Sequence, residues 1–329
     1  MRLRSRTLMI ALAGVVIAGL STGCSDAPGV AYANGATRPA ASGAASSRSA
    51  SPTAKPSPTA PAVPPLRVTG TPAGIKAKEG ILVDAATGQV LWAKDPNGRR
   101  PMASITKVMT AYLVISAGDI DRKIKVPKGV LNYVAKYGAS SDDLEPYETL
   151  TAWQLLYGLL LQSGADAAYT LATAYGPGMS AFIAKMNATA RSLGMDNTHF
   201  ASPDGLPYPT EYSTYSTPAD LVILGEAAMK SPTFRKIVGT KQYHMAKGNG
   251  HDAHWWYSDD SLLGSYRGAV GIKTGYTDDA GHCLLFEAVR NGRPLLGVVL
   301  GDPPSGIDAS EQDAARILNW GFSLKQPAS

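Results

Sequence analysis

Ser104 is the only serine in the sequence with a lysine three residues after it, in Ala103-Ser104-Ile105-Thr106-Lys107. A serine hydroxyl is a weak nucleophile until a neighbouring base takes its proton. At i and i+3 on a helix the two side chains share one face, close enough for Lys107 to act as that base. Lysine does so only when neutral, and its ordinary pKa is about 10.4. Burial and a second cation would both lower it. Such a cation stands in Gly271-Ile272-Lys273-Thr274-Gly275-Tyr276, and a further serine lies between, in Leu161-Gln162-Ser163-Gly164-Ala165-Asp166. Taken singly, Ser104 could be a helix N-cap and Lys273-Thr274-Gly275 a plain glycine-rich loop. In this order the three motifs point to acyl transfer by a serine nucleophile.

The elements that must hold these residues can be read from pattern. Residues 80–85 and 89–94 read as a β-hairpin with a glycine in its turn. A helix is expected from Ser104 to about Ser116. Thr151 is a candidate N-cap for another helix to about Leu161. Helical patterns follow over 165–174 and 178–192, and Thr217-Pro218 opens a further helix with proline at its first position. Strands are expected over 268–274, 281–290 and 294–301, joined by short glycine-rich turns and therefore antiparallel. Glu311 to Phe322 reads as a closing helix. Strands at both ends of a helical middle argue an α+β architecture.

The N-terminus reads differently. Arg2, Arg4 and Arg6 precede an apolar run from Leu8 to Leu20, too short for a standard membrane span, so residues 1–23 read as an export signal. Leu20-Ser21-Thr22-Gly23-Cys24 resembles a bacterial lipobox, with Ser21 where a leucine is preferred; Cys24 would then be lipidated. Simple secretion with cleavage nearby is the other reading. Residues 24–66 are rich in Ala, Ser, Pro and Thr and read as an extended tether. Residues 67–329 form the expected catalytic domain. The only other cysteine, Cys283, lies in an apolar run, so a disulfide to Cys24 would tie a tail to a core strand. A lone buried thiol fits better. The net charge of +5 belongs to the first 66 residues. The rest balances near zero, which gives no support to a nucleic-acid partner.

From about residue 70 to 325 the chain resembles the bacterial D-alanyl-D-alanine carboxypeptidases, the low-molecular-mass penicillin-binding serine peptidases. Besides the three motifs, the resemblance rests on Leu155 to Leu161, Thr198 to Leu206 with its Ser202-Pro203-Asp204-Gly205, Ser216 to Leu221, and Leu318-Asn319-Trp320-Gly321-Phe322. It implies a five-stranded antiparallel sheet flanked by helices, with an all-α part carrying Ser163 and the Lys273 strand at the sheet edge. It also implies roles. Ser104 would be acylated by a peptidoglycan stem peptide ending in D-Ala-D-Ala, Lys107 would be the base, and Ser163 would relay a proton to the leaving amine. Lys273 and Thr274, with Gly275 and Tyr276 beside them, would bind the substrate, and the N–H groups of Ser104 and Tyr276 would form the oxyanion hole. β-Lactam antibiotics would acylate the same serine. The setting would be the outer face of the cytoplasmic membrane, through a lipid on Cys24, and no cofactor or metal is implied.

Ala165 departs from the resemblance, which would have asparagine there. A protein that binds muropeptide or penicillin with little turnover is therefore an alternative. A class A β-lactamase is a further rival. It needs a glutamate in E-x-x-L-N, and none of the seven glutamates stands in that pattern. His251 and His254 are three apart beside Asp252, but no H-E-x-x-H or fuller ligand spacing accompanies them.

Overall fold

The computed structural model describes residues 65–303, 306 and 308–325. The export signal, Cys24 and nearly all of the tether lie outside the described residues. Leu66 is already buried, and it exchanges two hydrogen bonds with the Gln89 side chain.

Five strands make one antiparallel sheet in the order β2-β1-β9-β8-β7. These are β1 (Glu79–Asp84), β2 (Gln89–Lys94), β7 (Ala269–Thr277), β8 (Gly281–Arg290) and β9 (Arg293–Asp302). The first two form the expected hairpin, and the chain returns to pair β9 beside β1. The middle of β8 and most of β9 are continuously buried, the pattern of strands covered on both faces. Helix α8 (Ala309–Ser323) covers one face, where Leu82, Phe286, Leu295, Ile317 and Leu318 share a core. The other face joins the larger core beneath α1 (Lys107–Ser116) and α6 (Pro218–Met229).

The helical part lies between the two groups of strands. It includes α2 (Val130–Tyr137), α3 (Ala152–Tyr157), α4 (Ala165–Tyr175), α5 (Met179–Leu193) and α7 (Pro232–Val238). Thr151 caps α3 as expected. Its hydroxyl accepts from Gln154 N, and the Gln154 side chain accepts from Thr151 N, a reciprocal capping box. Thr217 likewise accepts from Asp220 N at the start of α6.

Three features differ from the sequence expectation. Ser104 does not cap a helix; it sits in a 3₁₀ turn (Ala103–Thr106), and α1 begins at Lys107. The helix from Thr151 does not run evenly to Leu161, because Gly158–Gln162 widens into a π turn. The Lys273 strand continues through Thr277. Two short strand pairs were not foreseen: β3 (Lys123–Lys125) with β4 (Thr149–Thr151), and β5 (Gln242–Met245) with β6 (His254–Tyr257).

Candidate active site

Three separate pieces of chain converge on one cleft. Ser104, Ser163, Thr274, Gly275 and Tyr276 line a cavity of about 390 Å3, and Asp259 stands at its wall. Ser104 also borders a second cavity of about 300 Å3 together with Lys107, Ala165 and Asp204. The nucleophile candidate therefore has space on both sides.

The Ser104 turn is held under strain. Ala103 adopts a φ of 47°, a left-handed conformation that an L-residue with a Cβ rarely takes. Such outliers persist where the surroundings over-determine them, and they cluster at reactive sites. The surroundings here include β7. A Cβ on Gly275 would lie 2.8 Å from Met102 O and 3.1 Å from Ser104 N. Only glycine lets the edge strand approach the Ser104 backbone so closely.

Lys107 donates from Nζ to Ser104 Oγ at 2.9 Å and to the carbonyl of Asp204 at 3.1 Å. Its side chain is only 2 % exposed. Burial holds its pKa below the ordinary lysine value, and the Asp204 charge opposes the shift without reversing it. Asp204 is itself fixed, accepting from the Tyr133 hydroxyl at 2.6 Å and from Leu206 N at 3.1 Å.

Ser163 closes the π turn in a left-handed conformation, φ 66°. It is buried, and among the described residues its Oγ has no hydrogen-bond partner. A buried hydroxyl left unpaired costs about 1–3 kcal/mol, so a site that keeps one is poised for a ligand or a proton. Behind it, Ala165 N donates to Ser140 O, and Asp166 accepts from Ser141 Oγ and from the backbone of Asp142 and Leu144.

Lys273 is in the middle of β7, 1 % exposed, and donates to Thr274 Oγ1 at 3.2 Å. Burial lowers its pKa to about 8; Asp259 pulls the other way and Lys107 adds to the lowering. The strand is the sheet edge, as the resemblance implied. Tyr276 is exposed and bonded to Asp278. His254 is committed elsewhere, to Glu148 at 3.1 Å in a buried pair. Cys283 borders the 390 Å3 cavity but is fully buried, a thiol with no disulfide partner among the described residues, and burial pushes its pKa up to about 12.

Sequence reading missed four residues at the site: Asp142, Asp259, Tyr133 and Tyr137. Asp259 lies just beyond His254-Trp255-Trp256-Tyr257, whose aromatic run is the one sequence signal for the strand found there. Asp142 follows no pattern. Its carboxylate is buried with both oxygens unpaired among the described residues, pressed against Gly158 and Gly164.

The D-alanyl-D-alanine carboxypeptidase family matches residues 67–304. The chain is similar to a D-alanyl-D-alanine carboxypeptidase of Streptomyces sp. (strain K15), 40% identical over 262 residues, which span 76% of this chain and 88% of that one. It is 37% identical over 254 residues to the carboxypeptidase DacB2 of Mycobacterium tuberculosis, covering 77% of this chain and 84% of the relative. The crystal structure of the Streptomyces K15 DD-transpeptidase superposes with a TM-score of 0.73 at 40% identity, over 78% of this chain and 100% of that one. The chain belongs to the D-alanyl-D-alanine carboxypeptidase family of penicillin-binding, serine-type peptidases.

Proposed function

We propose that this protein is a serine DD-peptidase that forms an acyl-enzyme on Ser104 with peptidoglycan stem peptides ending in D-Ala-D-Ala, and that penicillins acylate the same residue. One observation carries the reading: a buried lysine of lowered pKa donates to the Ser104 hydroxyl at 2.9 Å. In the neutral form Lys107 takes the Ser104 proton as Oγ attacks the penultimate D-alanine carbonyl. The N–H groups of Ser104 and Tyr276 receive the oxyanion, a type of donor pair worth about 10²–10³ in rate per donor removed. The amide C–N bond then breaks, and the leaving amine gains its proton through Ser163, whose Oγ is unpaired among the described residues. Lys273 and Thr274 hold the terminal carboxylate. Water, or the amine of a second peptide, completes the cycle. The K15 relatives carry both descriptions, carboxypeptidase for the sequence and transpeptidase for the crystal structure.

Slow turnover is a second reading, and Ala165 favours it. It is buried at the first turn of α4 and borders the cavity shared with Lys107, but offers no hydrogen bond from its side chain. A β-lactamase is less well supported. Asp204, a carboxylate bordering the cavity with Lys107, already accepts from the Tyr133 hydroxyl and from Leu206 N. We further propose export and anchorage through a lipid on Cys24, with residues 25–66 as tether.

The deciding experiment is incubation with benzylpenicillin, followed by mass measurement of the Ser104 peptide. A stoichiometric adduct, absent from Ser104→Ala, is expected. No adduct on wild type, or one on another residue, would remove Ser104 from the mechanism.

A further inference from the structure

Beside the cleft lies a space that the proposed reaction does not use. It is a groove of about 170 Å3 walled by Tyr133, Tyr137, Tyr208, Met179, Ile183 and Ala201. Its lining is mainly apolar. The aromatic walls are mutually braced: Tyr137 lies 5.3 Å from both Tyr133 and Tyr208, and Tyr133 stacks on Tyr169 at 4.7 Å. Lys136 closes the rim, with Nζ 4.9 Å from the Tyr137 ring and 5.0 Å from the Tyr208 ring.

The groove adjoins the catalytic machinery. Tyr137 and Leu206 wall both it and the 300 Å3 cavity that holds Ser104 and Lys107. Tyr133 donates to the Asp204 carboxylate, and Asp204 O accepts from Lys107. One network thus fixes a wall of the groove and the general base.

The position indicates which part of a ligand reaches it. On the proposed reaction, the terminal carboxylate and the leaving D-alanine occupy the cavity lined by Ser163 and Thr274. The acyl-donor part must then extend from Ser104 into the other cavity, which shares Tyr137 and Leu206 with the groove. The volume suits a small ring, since a dry cavity of about 150 Å3 holds benzene.

We propose that this groove is a specificity subsite for an apolar side chain of aromatic size on the acyl-donor part of the ligand. The inference rests on the serine-peptidase reading, so its test avoids the chemical step. In a Ser104→Ala background, the dissociation constants of benzylpenicillin and 6-acetamidopenicillanic acid are measured by nuclear magnetic resonance titration. The second compound keeps the fused ring, carboxylate and amide but lacks the phenyl group. Benzylpenicillin should bind about tenfold tighter, the low end of what an apolar pocket discriminates. Ala201→Phe, which fills the groove, should abolish that preference and leave the acetamido compound unchanged. Tyr208→Ala, on the exposed rim, should reduce the preference and decides the matter if Ala201→Phe fails to fold. Equal affinities for the two compounds, or an unaltered ratio in the variants, would overturn the proposal. Absence of acylation in wild type would count against Ser104 as nucleophile instead, and the affinity ratio would remain readable.

Discussion

Gly164→Ala should damage both stability and acylation, and the reason is steric. Gly164 has φ −61° and ψ 122°, a conformation open to any residue, so backbone strain is not involved. A Cβ there would fall inside the contact distance of Asp142 Cγ and both carboxylate oxygens. Asp142 cannot swing away easily. Its N–H donates to Asp166, its carbonyl accepts from Trp256 Nε1 at 3.0 Å, and a side chain on Gly158 would meet the same carboxylate. Overpacking a closed site costs about 1–3 kcal/mol. For a domain of this size, each kcal/mol lowers Tm by roughly 2–4 °C, so the loss should be about 2–12 °C. Gly164 also follows Ser163 directly, and an active-site shift of about 1 Å can cost on the order of 10²-fold in rate.

The compensating change separates volume from charge. Asp142→Ala removes the atoms that the new methyl meets, and it also removes a buried carboxyl that has no partner among the described residues. Combined with Gly164→Ala it should restore most of the lost Tm and acylation, a strongly non-additive pair. Asp142→Asn keeps the volume and should not rescue. The assays are thermal melting and benzylpenicillin acylation of the single and double variants. A Gly164→Ala protein that melts like wild type, or rescue by Asp142→Asn equal to that by Asp142→Ala, would refute the steric account.

Lys273, with a pKa of about 8, carries its charge below that pH and loses it above, so the affinity of Ser104→Ala for carboxylate ligands should fall as pH rises from 7 to 9. A flat titration would remove the charge of Lys273 from carboxylate binding. Asp302 is buried beside Asp313 with its pKa raised to about 8. The folded state therefore binds more protons than the unfolded between pH about 4 and 8, and stability should decline across that window. Asp302→Asn, neutral throughout, should flatten the decline in Tm, and an identical slope would refute it. Ala165→Asn should raise D-alanine release from a stem pentapeptide by up to about 100-fold, the equivalent of about 1–3 kcal/mol for a restored site hydrogen bond. An unchanged rate would mean that the cleft is organised around alanine. Cys24→Ser should release the protein from membranes into the medium; wild type already free there, with an unmodified N-terminus beyond residue 24, would exclude the anchor.

What was legible in the sequence is what chemistry or periodicity forces into neighbouring positions. Ser104 and Lys107 must lie one turn apart to share a proton, and Lys273, Thr274 and Gly275 must follow one another along an edge strand, so short motifs expose them. The sheet was legible because β8 and β9 are long apolar runs with turn residues between. The local backbone of the site was less so. Ala103 at positive φ contradicts its own propensity, and the π turn before Ser163 interrupts a helix that Thr151 and Gln154 start correctly. Both departures serve position over stability, which is where local rules are expected to fail.

The residues missed altogether are defined across distance. Asp142 belongs to a segment with no helix or strand, and its surroundings are made by glycines on the π turn and before α4, an indole on β6 and a carboxylate on α4. Tyr133 gains its role only because the 201–206 segment folds back to put Asp204 between it and Lys107. No period or spacing marks such a residue, because each partner is set by a different element. The catalytic pair was therefore readable from a four-residue motif and the two that follow it, whereas the network that fixes the base exists only once α1, α2 and the Asp204 segment are packed together.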